Sequence, residues 1–398
     1  MKIYKELGVK RVINAIGAWT RIGGSTLTQE VIDAMIDANS CYVEMWELEE
    51  RAGKVIADLT GAEAAYITSG AFSALVLSVA ACMVGDDPAE MKKLPDVSDL
   101  ERNQVILQEC QRYKYDRAIT VSGAKMVCIG NTSNCSPRQL ESAITSRTAA
   151  IVYLAPGGKG AIPIEETIEI AKSHSIPVIV DAPGNIYGSK IWVSEQVYPD
   201  EGYKDYFKIG VDLICYGGKY VGAPQGTGYV IGKENLIKTI ALHSFVGFEH
   251  PSNLYRPLGR GYKLDRHTIV ALVTALKNWK EMDHRLRLKK ALDKKSYLMD
   301  CLSTIPNIDL IDVPTSAIMV GFKVVLLKKS GSQTACIVKE LLDGDPRVEV
   351  FYDPHGMVRG HVRSEPNSFI VNVAYMVDND EKELACILKK VLKGSGYD

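Results

Sequence analysis

Short apolar runs alternate with amphipathic helical patterns along the first two thirds of the chain, and this alternation narrows the fold more than any other feature. Seven runs have strand length: 64–68, 104–107, 126–129, 149–154, 177–180, 212–216 and 228–231. Helical patterns such as 139–145 and 164–174 lie between them. The second follows Pro163 and carries Glu165 and Glu166 in its first turn, which suits the exposed N–H groups and positive end of a helix. Parallel strands need a crossover connection, so this rhythm predicts an α/β fold with a mostly parallel, seven-stranded sheet. The stretch 86–103 is polar, charged and punctuated by prolines, and reads as a surface insertion.

After residue 243 the rhythm changes. Residues 243–263 are rich in Gly, His, Pro and aromatics without a clear period, which reads as a segment lying over a site or an interface. Residues 267–287 have the pattern of one long helix. Strand-like runs at 317–326, 348–352 and 369–373 then alternate with helices at 333–342 and 381–392, the pattern of a small α+β domain. A chain of 398 residues exceeds one simple core. The expected organisation is an N-terminal segment (1–45), a large domain (46–266), and a bridging helix with the small domain (267–398).

The net charge of −1 gives no electrostatic reason to expect a nucleic-acid or anionic-membrane partner. The first residues lack the apolar core of a signal peptide, and the longest apolar run, 71–84, is too short to span a membrane. Nine cysteines are scattered without a C-x-x-C pair, which reads as thiols in the reducing cytoplasm and offers no metal framework.

The chemistry concentrates in VIVDAPGNIYG and DLICYGGKYVGAPQGTGYVIG. The first strand ends at Asp181, and the second runs through Tyr216 into a Gly-Gly-Lys turn at Lys219. A carboxylate at a strand's carboxyl end faces the crevice where open α/β sheets bind ligands, and a lysine just beyond a neighbouring strand can reach the same crevice. Taken alone, Asp181 reads as a cap or turn residue and Lys219 as a surface lysine. Together they are what pyridoxal 5'-phosphate (PLP) needs: an amine for the Schiff base, and a carboxylate that keeps the pyridinium nitrogen protonated. A third element, Ser69-Gly70-Ala71, lies between a strand and a long apolar helix, where backbone N–H groups can hold a phosphate.

The segments GAEAAYITSGAFSAL, IPVIVDAPGN and YGGKYVGAPQGTGYVIG resemble the PLP-dependent fold type I superfamily. Within it they are similar to the group shared by bacterial selenocysteine synthase and the D-glucosaminate-6-phosphate ammonia-lyase-like proteins. RVINAIGAWTRIGGSTL and GRGYKLDR carry the similarity outward, from about Val9 to Arg266. The resemblance implies Lys219 as the aldimine lysine, Asp181 as the pyridinium partner, and Ser69, Gly70 and Ala71 as phosphate contacts. Tyr216 and Gln111 join the cofactor set, although relatives often carry a ring-stacking histidine where this chain has Gln111. Thr20, Arg21 and Ser25 belong to an opening segment that folds towards the substrate mouth in this superfamily. Arg260 would meet a phosphate, of its own or a neighbouring subunit, or a substrate anion, with a structural ion pair as the alternative. Asn372 stands where many fold type I enzymes have a carboxylate-reading arginine, with His355, Arg359, His361 and Arg363 just upstream. His250 is a loop histidine that reads as incidental or as an acid–base group.

The reaction implied is α,β-elimination on a 2-amino acid or amino-sugar acid, an ammonia-lyase or dehydratase chemistry. Aldolase, racemase, aminotransferase and selenium or sulfur transferase activities would keep the same lysine and aspartate, while a non-enzymatic scaffold would need neither. A selenocysteine synthase is expected to carry an extra N-terminal tRNA-binding region and a basic surplus, which this sequence does not display. Fold type I sites form between subunits, which implies at least a homodimer.

Overall fold

The computed structural model describes residues 2–182, 184, 206–327, 331–354 and 364–394. The described residues form two compact units, each with its own apolar core. The larger lies between Leu27 and Glu281. The smaller combines the first 26 residues with those from Met282 onwards. The division therefore falls at 26 and 281, where the sequence suggested 45 and 266. The first residues join the smaller unit through a strand not expected from sequence, β1 (Val12–Ala15), which pairs in parallel with Arg347–Val350 of the C-terminal part, and the second boundary falls at the end of the helix Arg266–Glu281.

Seven strands make the sheet of the larger unit: β2 (Ala64–Thr68), β3 (Gln104–Gln108), β4 (Lys125–Ile129), β5 (Thr148–Leu154), β6 (Val178–Asp181), β7 (Leu213–Gly217) and β8 (Gly228–Gly232). Their order is β2-β8-β7-β6-β5-β3-β4. Strands β3 to β7 run parallel to one another, and β8 is antiparallel to both β2 and β7. These are the seven runs read from sequence, and the mostly parallel α/β fold is as expected.

The helix Ala71–Val84 is apolar almost all round, so it can only be stable inside the protein. It packs on one sheet face, with Leu75, Val79, Val152, Ile179, Leu213 and Val230 in a shared core. The helix Met45–Thr60 starts where the Glu44 side chain accepts the Glu47 N–H and stops at Gly61, in the left-handed region at φ 79°. The helix Pro137–Ala143 opens with a reciprocal Ser136–Gln139 capping box.

Two sequence expectations give way here. The stretch 86–103 is not a mere surface insertion, because Met91, Leu94, Val97 and Leu100 are buried at three-residue spacing and the last three join the core beside the helix Ala71–Val84. Its charged residues mask an apolar stripe. The long helix expected over 267–287 is two helices, Arg266–Glu281 and His284–Leu302. Asp283 starts the second by accepting the Leu286 N–H at 2.9 Å, a cap that ends one helix by beginning another.

The smaller unit holds β9 (Ile308–Asp312), β10 (Gly321–Leu326), β11 (Arg347–Val350) and β12 (Ser368–Asn372). Strands β9, β10 and β12 form an antiparallel sheet in the order β12-β10-β9, and β1 pairs with β11. Phe322, Phe369, Leu298 and Leu384 centre its core. Among the described residues, no helix is long and apolar enough to cross a membrane, and no group of three or more His, Cys, Asp or Glu could hold a metal ion.

Candidate active site

Asp181 is the last residue of β6, in register with Leu154 of β5 on one side and Cys215 of β7 on the other. Its side chain is buried and meets no hydrogen-bond donor among the described residues. Desolvation pushes its pKa up to about 7. The Cys215 thiol shares that sheet face and lies 3.6 Å from the Ser78 hydroxyl of the helix Ala71–Val84. Burial, and secondarily the charge of Asp181, push this thiol up too.

The next strand, β7, runs straight into the one-turn helix Gly218–Val221 that carries Lys219. Gly218 allows the turn to close, since a β-carbon there would stand 2.1 Å from the Thr227 hydroxyl. The Gly218 N–H donates to the Thr227 carbonyl at 2.8 Å. Partial burial, and then the positive charge of Lys114, bring the Lys219 pKa down to about 8. Its Nζ lies 5.0 Å from the centre of the Tyr220 ring.

On the other side of β8, strand β2 ends in the Ser69-Gly70-Ala71 turn. Gly70 has φ 98°, a conformation that favours glycine, and precedes the helix Ala71–Val84 with no side chain capping the first N–H groups. The Ser69 hydroxyl donates to the Ser73 hydroxyl at 3.2 Å, and Ser73 donates to the Gly70 carbonyl at 2.9 Å. Gly228 joins this turn to the lysine turn, because it is in register with Thr68 of β2 and with Gly217 of β7. Asp181, Lys219 and the Ser69–Ala71 turn thus lie at the ends of strands within one stretch of sheet.

These features fit PLP. A buried carboxylate without a donor suits a protonated ring nitrogen, an amine lowered towards neutrality suits covalent attachment, and an uncapped helix start suits a phosphate.

The remaining predicted residues divide into several settings. Gln111 is buried; its amide carbonyl accepts the Leu154 N–H at 3.3 Å, and its NH2 group donates to the Leu154 and Gly157 carbonyls at 3.2 and 3.4 Å. Gln111 therefore braces β3 against β5 and leaves only the flat face of the amide for a cofactor ring. The Tyr216 ring points to the sheet face opposite Cys215 and stacks on Tyr229 at 5.1 Å. Arg260 lies over Phe248, 3.6 Å from Glu249, in a cleft of about 300 Å³ walled by Trp46, Phe245 and Leu264; neither Lys219 nor Asp181 lines it. His250 is half-buried beside Ser252 and Trp46.

Thr20, Arg21, Ser25 and Asn372 belong to the smaller unit. The Asn14 side chain accepts the N–H groups of Ile16 and Gly17, which turns the chain after β1 into a short helix at Thr20–Ile22. Asn372 is buried. It donates to the Ile318 and Ile16 carbonyls at 3.0 and 3.5 Å and accepts the Ala374 and Val320 N–H groups at 3.0 and 3.2 Å. All of its hydrogen-bonding capacity is spent on backbone, which makes it a clamp. His355, Arg359, His361 and Arg363 lie outside the described residues. Sequence reading passed over Gly228, Cys215 and Lys114; the glycine's small size, between two strand ends, was the one available signal.

Residues 12–293 match the family described as L-seryl-tRNA selenium transferase, SelA. The chain belongs to the SelA family. This SelA-family chain is 29% identical over 359 residues to a Streptomyces 5'-C-glycyluridine monooxygenase-decarboxylase, covering 87% of this chain and 83% of the relative. It is 30% identical over 285 residues to a D-glucosaminate-6-phosphate ammonia lyase from Salmonella typhimurium, covering 70% of each. A solved structure of D-glucosaminate-6-phosphate ammonia-lyase matches with a TM-score of 0.78 and 23% identity, over 99% of this chain and 98% of the other. The SelA-family chain is a PLP-dependent enzyme of fold type I.

Proposed function

We propose that the enzyme is a lyase that carries out α,β-elimination on a 2-amino acid or amino-sugar acid, with Lys219 and Asp181 as its catalytic pair. The observation that carries this reading is the buried Asp181 carboxylate, which meets no donor among the described residues, one strand away from a lysine whose pKa is lowered to about 8. When bound, PLP supplies an electron sink for the carbanion that forms at the substrate's α-carbon. Asp181 holds the proton on the ring nitrogen, so the ring stays electron-withdrawing. Lys219, partly neutral near pH 8, removes the proton from the α-carbon. The N–H groups at the start of the helix Ala71–Val84 hold the phosphate and fix the ring's position. With a leaving group on the β-carbon, proton removal is followed by its expulsion, and hydrolysis yields ammonia and a 2-keto acid.

Incubation of the PLP-loaded enzyme with hydroxylated and phosphorylated 2-amino acids, D-glucosaminate 6-phosphate among them, tests this. The expected products are ammonia and a keto acid, with solvent deuterium entering the α-carbon. Neither product nor exchange across the panel would end the proposal, and exchange without product would redirect it to racemisation. A second reading rests on the Streptomyces relative, which matches the larger share of this chain. Carbon dioxide release from a glycyl-nucleoside under oxygen would favour it.

Thr20 and Arg21 are read as substrate contacts through the family resemblance, as is Arg260 for an anion. A homodimer in the cytoplasm completes the proposal. Tyr42, at 92% exposure, and the exposed Val43, Phe72 and Leu254 offer apolar surface for a second copy. Light scattering on the purified protein reads its mass directly.

A further inference from the structure

Arg21 and Glu349 form an ion pair in which the two partners have opposite exposures. The Arg21 side chain is 52% exposed, whereas that of Glu349 is 11% exposed. A surface pair would expose both ends, and a core pair would bury both. Here a buried acid lies beneath an accessible guanidinium. Glu349 sits on β11 in register with Asn14 of β1, so the strand pair fixes its backbone. Burial raises the Glu349 pKa, while the charges of Arg21 and Arg347 act against that rise.

A second support comes from below. The Arg21 guanidinium carbon lies 5.9 Å from the Trp19 ring centre, and Trp19 meets Phe351 at 5.9 Å within a small apolar cluster containing Ile16, Val313 and Ile370. A guanidinium carries five N–H donors in a rigid fork. Glu349 meets one terminal nitrogen as an ion pair, and among the described residues the guanidinium donates no hydrogen bond. A long side chain loses about 2 kcal/mol of rotamer freedom when fixed, and here that loss is already taken by the ring and the carboxylate.

We propose that Glu349 is a positioning residue that presents Arg21 to an oxyanion of the substrate, either a carboxylate or a phosphate. The inference rests on the reading of Arg21 as a substrate contact and adds the residue that fixes it. Electrostatics alone would predict the opposite effect for Glu349: removing a negative charge near an anion site should tighten the anion. Weaker anion binding in Glu349→Gln can therefore come only from lost positioning.

The test is labelling of Arg21 by phenylglyoxal in the PLP-loaded enzyme, followed by peptide mass spectrometry, with inorganic phosphate or acetate as protecting probe. In the unaltered protein one of the two slows labelling of Arg21, and which one does so names the oxyanion. In Glu349→Gln the protecting concentration rises about tenfold, the size expected for one charge-assisted contact. Glu349→Asp, which keeps the charge, restores part of the protection. Cofactor absorbance and thermal melting show that each variant is folded, and Glu349→Asp carries the comparison if Glu349→Gln is not. Absence of protection by either probe in the unaltered protein would overturn the reading of Arg21 itself. Protection that is equal or stronger in Glu349→Gln would overturn the role of Glu349 alone.

Discussion

Gly228 and Gly70 approach so closely that a β-carbon on Gly228 would stand 2.4 Å from the Gly70 carbonyl carbon and 2.6 Å from the Ala71 nitrogen. The same β-carbon would stand 2.7 Å from the Tyr216 carbonyl oxygen. The candidate phosphate turn and the lysine strand are thus held apart by a residue without a side chain. Gly228→Ala must push one from the other, at a cost of about 1–3 kcal/mol. The expected result is a lower melting temperature and PLP affinity reduced roughly tenfold or more, read by absorbance titration. Gly226→Ala is the control, because a β-carbon there meets nothing within 4 Å.

For Lys219 the expected pH dependence follows from its lowered pKa. The amine attacks only when neutral, and burial with Lys114 brings its midpoint from 10.5 to about 8. Uptake of PLP by apoprotein should accelerate as pH rises through about 8 and level off above it. Lys114→Gln removes the second cause of the shift and should move that midpoint upward. Lys219→Ala should leave no PLP covalently trapped after borohydride reduction, as read by intact mass.

Asp181 gives a prediction with the opposite slope. Its pKa rises from 3.8 to about 7 because burial disfavours the charge, so the folded apoprotein binds a proton that the unfolded chain releases. Apoprotein stability is unaffected below pH 3.8, falls as pH rises towards 7, and stays low above that. The full shift corresponds to a few kcal/mol at most. Asp181→Asn should therefore melt higher than unaltered apoprotein at pH 8 and gain little at pH 4. Once PLP is added the order should reverse, because the unaltered carboxylate gains the ring nitrogen as a partner and asparagine does not. A melting temperature that changes equally at both pH values would contradict this account.

The strands of the larger unit were legible in the sequence because each reads as a short unbroken apolar run, and all but the edge strand β4 are buried on both faces. The same holds for the Asp181–Lys219 pair, which the alternation of strands places at neighbouring strand ends. Other features were hidden for physical reasons. Strand β1 has only four residues and gains its place from a partner more than 300 residues away, so local pattern cannot show it. The core stripe through Met91, Leu94, Val97 and Leu100 is concealed by Pro95 and the charges between its members. The break at Asp283 lies inside an apolar period that continues across it, and only the capping bond distinguishes one helix from two. Cys215 looks like any core residue until its register with Asp181 is known.

Asn372 shows where analogy with relatives and local geometry part. Its position on β12 invited comparison with a carboxylate-reading arginine, yet its amide is occupied by the backbone of Ile16, Ile318, Val320 and Ala374. The Gly17 backbone also closes over it, since a β-carbon there would stand 2.8 Å from the Asn372 amide nitrogen. Asn372→Ala leaves buried backbone groups unpaired and should cost about 2–3 kcal/mol. Asn372→Asp should cost more, because a carboxylate oxygen would replace the donor that faces two carbonyls. Both variants should melt earlier, while KM for the best substrate of the amino-acid panel stays within about twofold, since hydrogen bonds to backbone bear on stability and not on substrate affinity. A tenfold rise in KM at an unchanged melting temperature would return Asn372 to the substrate site.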